Sequence, residues 1–203
     1  MNSSDRPSVS PAFYLPILLV LVAAAYRYAK LDGMVNIPAL ENFNPWMALA
    51  FTGTLVFPRQ LSFLTTPLLL LFVTLAAAGP AAILHWEAVA VYATFAAAAL
   101  LASRWRGQVG MLKGLLGVVG CSVAFYVVTN TVSWISSPHY IKNLAGWAQA
   151  LTVGESGHLP TWVFLCRSLI SDVGFSLLLL AAHHTEARVR HQRSMPLIAP
   201  AQA

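Results

Sequence analysis

The stretch Leu159-Pro-Thr-Trp-Val-Phe-Leu-Cys-Arg-Ser-Leu-Ile-Ser-Asp-Val-Gly-Phe-Ser-Leu-Leu-Leu-Leu-Ala-Ala182 holds 24 residues with two charged side chains, Arg167 and Asp172. As a helix it is roughly 36 Å long, enough to cross a hydrocarbon core of about 30 Å. Five further apolar blocks precede it, from about Pro11 to Tyr28, Trp46 to Phe57, Leu61 to Ala78, Ile83 to Ala102 and Val109 to Ile135. Hydrophobic residues make up 58% of the 203, charged residues only 9%, and mean hydropathy is +0.67. A soluble domain carries about 25% charged residues, so this chain cannot cover a water-facing surface. The reading is an all-α membrane protein with six transmembrane helices in one domain over residues 11–184. A disordered cytoplasmic tail (1–10) precedes it and a basic cytoplasmic tail (185–203) follows.

The blocks differ in ways that matter. The first ends in Ala23-Ala24-Ala25, which mimics a signal-peptidase site, but it is longer than a usual signal core and its leading segment is almost uncharged. A retained helix is expected; cleavage would leave the orientation of the other five unchanged. The second block spans roughly 18 Å as a helix, short of the hydrocarbon thickness. Asn44 and Pro45 before it read as an N-cap followed by proline at the first helical position. Residues 140–152, with Ile141, Leu144, Ala145, Ala148 and Leu151 at helical spacing, predict a short amphipathic helix lying along the outer interface.

Positive charge orients the bundle. With six spans, the side holding both termini carries Arg6, Arg59, Arg104, Arg106, Lys113, Arg188, Arg190 and Arg193, against Arg27, Lys30 and Lys142 on the other. The positive-inside rule places the richer side in the cytoplasm, hence a multi-pass protein of the cell inner (plasma) membrane with both termini cytoplasmic.

The unusual polar residues then gather on the outer side. Arg167 and Asp172 stand out because a charged group in the bilayer normally faces a partner or a wet cavity. Five positions apart, they lie about 140° apart on a helix and face different neighbours. Alone, Arg167 reads as a residue snorkelling to the interface, and Asp172 as an acceptor for Asn130 or a hydroxyl on the fifth span. Asn42, Asn44, Asn130, Trp134, Arg167 and Asp172 are together the candidate substrate-binding set, converging on an outward pocket with Asp172 at its floor. For Asn130 the plain alternative is an interhelical hydrogen bond, and for Trp134 a place in the aromatic belt. Gly110, Gly114, Gly117 and Cys121 form a small-residue stripe that reads first as packing within the chain.

Several chemistries find no footing. The six histidines lack zinc spacing and the two cysteines, Cys121 and Cys166, lie inside apolar blocks, so no metal site is expected. No nucleophile elbow, phosphate loop or carboxylate pair appears, so no catalytic residue, no cofactor and no enzyme activity are assigned. No basic face interleaved with aromatics points to nucleic acid. The expected partners are membrane lipid, a small polar or anionic ligand, and a membrane-protein partner. The competing function class is a structural or accessory subunit of a larger complex, packing through the glycine stripe.

Four motifs in order carry a resemblance. Asn42-Phe43-Asn44-Pro45, Thr129-Asn130-Thr131-Val132-Ser133-Trp134, Tyr140-Ile141-Lys142-Asn143-Leu144-Ala145-Gly146 and Arg167-Ser168-Leu169-Ile170-Ser171-Asp172 resemble the Asn-Phe-x-Pro, Thr-Asn-x-x-x-Trp, Tyr-x-x-x-Leu-Ala-Gly and Asn-Thr-Leu-x-Gly-Asp pattern of an uncharacterised six-span bacterial membrane protein family. Arg167 and Ser171 depart from the Asn and Gly of the last motif. That family is similar in architecture to the substrate-binding components of energy-coupling-factor transporters. The similarity implies six helices, cytoplasmic termini and a small molecule held near the outer face by the first loop and the last spans. The small-residue coupling motif of those components on span one has no clear counterpart here.

Overall fold

In hydrocarbon a backbone must satisfy its own amides, so apolar runs become helices. The computed structural model describes residues 13–35, 37, 44–58, 61–192 and 194–198. Within them run α1 (Tyr14–Leu31), α2 (Trp46–Val56), α3 (Thr65–Ala78), α4 (Trp86–Trp105), α5 (Met111–Ser136), α6 (Leu144–Leu151) and α7 (Thr161–Val189), with a single 3₁₀ turn at Pro80–Ala82. No strand occurs among the described residues. All six expected blocks are helical, but only α1, α4, α5 and α7 are long and apolar enough to cross a membrane; α2 and α3 are shorter.

Local chemistry explains the boundaries. Gly79 at φ 75° ends α3, a left-handed geometry that glycine adopts without a Cβ clash. His85 sits extended at the head of α4 and its Nδ1 accepts the Ala88 amide at 3.3 Å. Asn143 does the same for α6, its Oδ1 accepting the Gly146 amide at 2.9 Å. That cap starts α6 at Leu144, later than the helix expected from residue 140. The Trp147 indole donates to Thr131 Oγ1 at 2.9 Å, and the Tyr126 hydroxyl donates to the Leu151 carbonyl, so α6 is pinned to the end of α5.

The centre of the bundle is α2. From Trp46 to Phe57 its apolar and hydroxyl side chains are at most 8% exposed, with Leu49, Ala50 and Phe51 at 0%. It packs against α3, α4, α5 and α7, and a π-helical stretch, Leu49–Gly53, interrupts it. Short as expected, α2 is enclosed by protein, which is the setting where irregular backbone is tolerated at membrane depth. Phe51 packs edge-on against Trp105, centroids 5.8 Å apart. A Cβ on Gly117 would lie 2.4 Å from the Phe51 ring, and one on Gly114 3.2 Å from Leu55. Two glycines of the α5 stripe thus face α2, which withdraws them from contact with another protein.

The last helix runs past the domain boundary placed at residue 184. It continues to Val189, with Glu186 and Ala187 buried, because Glu186 Oε2 accepts the Leu15 amide at 2.8 Å at the start of α1. Arg190 pairs with the other Glu186 oxygen at 3.0 Å and lies 4.5 Å over the Tyr14 ring. The chain then turns back across this end of the bundle. The carbonyls of Pro196 and Leu197 accept the Met111 and Leu112 amides at 2.8 and 3.2 Å, supplying partners for two orphan donors of α5.

Candidate functional site

The polar centre is built where α2 begins. Asp172, 3% exposed, faces it from α7: Oδ1 accepts the Ala48 amide at 3.1 Å, and Oδ2 accepts the Ser122 hydroxyl of α5 at 2.7 Å. Next to it, Ser171 Oγ accepts the Asn44 amide at 3.1 Å, and one turn deeper the hydroxyls of Ser176 and Thr52 are hydrogen-bonded at 2.8 Å. The α7 face that meets α2 is therefore serine and aspartate, in a helix whose other residues are mostly apolar. A carboxylate at a helix N-terminus satisfies free amides and meets the positive end of the helix dipole.

The opposite end of α2 has the complementary charge. Arg106 Nε donates to the Thr54 carbonyl at 2.6 Å and Nη1 to the Pro58 carbonyl at 3.1 Å. Within α2, Thr54 donates to the Ala50 carbonyl at 2.6 Å, and Thr66 of α3 reaches the Leu49 carbonyl at 3.3 Å. A short, fully buried helix is thus capped by a carboxyl group at its head and a guanidinium at its foot, each supplied by a different helix or its flank.

The candidate residues fall in different places. Asn42 lies outside the described residues. Asn44 does not cap α2: the helix begins at Trp46 without a side-chain cap, and Asp172 takes that part from across the bundle. The side-chain Oδ1 of Asn44 is buried and has no donor among the described residues. Asn130 donates to the Tyr126 carbonyl of its own helix at 2.8 Å, so the hydroxyl of α5 that reaches Asp172 is Ser122. The Trp134 indole donates to the Ile141 carbonyl at 2.9 Å, and the Lys142 ammonium donates to the Trp134 and Ser137 carbonyls, closing the end of α5. Below it Tyr140 is buried, and that burial, with the Glu155 charge, raises its pKa above the usual phenol value. Arg167 is exposed, on the α7 surface shared with Ile170 and Leu178. The structure therefore brings Asn44 and Asp172 together and turns Arg167 away from them.

Three contributors escaped the sequence reading. In the sequence Arg106 marks only a cytoplasmic charge, and Ser122 is one of several hydroxyls. Glu186 lay beyond the assumed end of the last span, although its spacing of 14 from Asp172 returns it to within about 40° of the same helix face.

An all-helical chain with four helices of spanning length and a buried polar centre fits an integral membrane protein. Residues 7–194 match a family of unknown function, DUF6580, and the chain belongs to that family. No curated protein and no solved structure matches it.

Proposed function

We propose that this protein is the small-molecule-binding component of a transporter in the cell inner (plasma) membrane. Its six helices, α2 and α3 short, are embedded there with both termini cytoplasmic and α6 along the outer interface. Charge asymmetry supports that orientation, and the apolar exposed faces of α1, α4, α5 and α7 suit contact with lipid.

The ligand enters from the outer side and meets the first turn of α2. One observation carries this reading: a helix of half the spanning length, enclosed by protein, has at its head a buried acceptor, Asn44 Oδ1, that no described group satisfies. Interrupted helices inside a bundle are how many transporters present polar groups to a ligand at membrane depth. A buried polar atom left unpaired costs about 1–3 kcal/mol, so a ligand N–H or O–H gains by reaching it. Asp172 positions the α2 turn, Asn42 stands two residues before Asn44, and Asn130 with Trp134 forms the outer rim. Arg167 is left to the headgroups.

The test is native mass spectrometry of the full chain released from detergent micelles. The expected spectrum shows a bound small molecule that Asn44→Ala loses while its thermal midpoint stays near wild type. A wild-type protein that carries no small molecule, and instead emerges in fixed ratio with another membrane protein, would overturn this reading in favour of the accessory-subunit class.

A further inference from the structure

Most of the cations placed near the bundle's polar or aromatic groups are answered within the chain. Arg106 holds two carbonyls, Arg190 a carboxylate and an aromatic face, Lys142 two carbonyls, and Lys113 lies 5.2 Å from the Trp105 centroid. Arg27, in the last turns of α1, departs from this pattern. It is partly buried, its Nε is fully buried, and it has no acceptor among the described residues. Arg167 also lacks a described partner, but it is exposed and free to extend to the interface. Arg27 is held against the bundle and has less of that freedom.

A half-buried guanidinium with no acceptor among the described residues is unfavourable, and the fork of N–H donors it presents matches carboxylate and phosphate oxygens. We infer that Arg27 binds an oxyanion at the end of α1 that leads into the 32–45 loop. The guanidinium supplies charge and paired donors. The bound group is a phosphate or carboxylate, free in solution or carried on a lipid headgroup. The inference does not depend on Asn44 or on the proposed ligand at the head of α2.

The experiment uses the full chain in maltoside micelles, which carry neither phosphate nor charge. Its thermal midpoint is followed in chloride buffer, then with inorganic phosphate at matched ionic strength, and separately with phosphatidylglycerol added to the micelles. A rise with inorganic phosphate supports a soluble anion, and a rise with phosphatidylglycerol alone supports a headgroup. In either case Arg27→Gln should weaken the apparent affinity for that probe roughly tenfold or more, and Arg27→Lys, which keeps the charge without the fork, should fall between. Without anion Arg27→Gln should be at least as stable as wild type, because it removes an unanswered charge; a merely structural arginine would give a drop. Should Arg27→Gln fail to fold, Arg27→Lys carries the test and should still weaken the same probe several-fold. No rise with either probe, or an equal rise in Arg27→Gln, overturns the inference.

Discussion

Replacing Asp172 tests whether a carboxylate on the last helix holds the buried one. In Asp172→Ala the Ala48 amide and the Ser122 hydroxyl, on residues 0% and 2% exposed, lose their acceptors together. Two orphaned groups cost about 1–3 kcal/mol each. Losing the carboxylate also removes its own desolvation penalty, which brings the expected net loss to about 2–4 kcal/mol. Asp172→Asn separates charge from geometry. Its Oδ1 still accepts from Ala48 and its Nδ2 donates to Ser122 Oγ, while the lost attraction of the charge to the head of α2 is offset by the same relief of desolvation, so Asn should lie within about 1 kcal/mol of wild type. The assay is reversible unfolding in mixed micelles, titrated with a denaturing detergent and followed by tryptophan fluorescence. The expected order places wild type and Asn close together and Ala well below both. Equal stability of Asn and Ala, or an Ala variant as stable as wild type, would refute the capping argument.

Other substitutions probe the packing around that centre. Gly117→Ala puts a methyl 2.4 Å from Phe51 and should cost about 1–3 kcal/mol, whereas Gly120→Ala meets nothing within 4 Å and should be neutral or gain up to about 1 kcal/mol; thermal midpoints in detergent would show a reversed order if the stripe faced outward. Glu186→Ala removes the acceptor of the Leu15 amide and the partner of Arg190, so a loss of about 1–3 kcal/mol and faster proteolysis at the head of α1 are expected. Arg167→Leu, on an exposed surface, should change stability by no more than about 0.5 kcal/mol, and a large loss in the same assay would mean that it has a buried partner. Single cysteines near Glu155 should react with an impermeant maleimide from outside intact cells and those near Arg106 or Arg190 should not; labelling at Arg106 would invert the proposed topology.

Hydropathy made the helices legible because lipid demands long, uncharged runs, and the brevity of α2 was visible by length alone. It could not show that α2 is the core. In a membrane protein the lipid face is as apolar as the interior, so α7 carries no strong stripe to reveal which side faces inward. Arg167 and Asp172 gave the same signal, a charge in an apolar run, yet one is exposed and the other 3% exposed. The serines were the better guide: Ser171 and Ser176 lie on the buried side with Asp172. A hydroxyl on the fifth span was the right kind of partner for Asp172, but the second donor, a backbone amide 124 residues away, leaves no mark in composition or spacing. Local rules make Asn44 a cap because they consider only neighbouring amides, and a long-range carboxyl group takes its place.

The order in which the chain is made gives these distant caps a kinetic meaning. The amides of Ala48 and Leu15 find their acceptors 124 and 171 residues later in the chain. At about 5–20 residues per second of synthesis, the head of α2 waits roughly 6–25 s before Asp172 exists, and the head of α1 waits longer for Glu186. During that interval the head of α2 cannot be finished in hydrocarbon, where a bare amide has no water to turn to, whereas the head of α1 waits at the interface. The head of α2 is therefore completed only once α7 has arrived. A nascent chain stalled before α7 would present two uncapped helix heads to whatever machinery inspects unfinished membrane proteins.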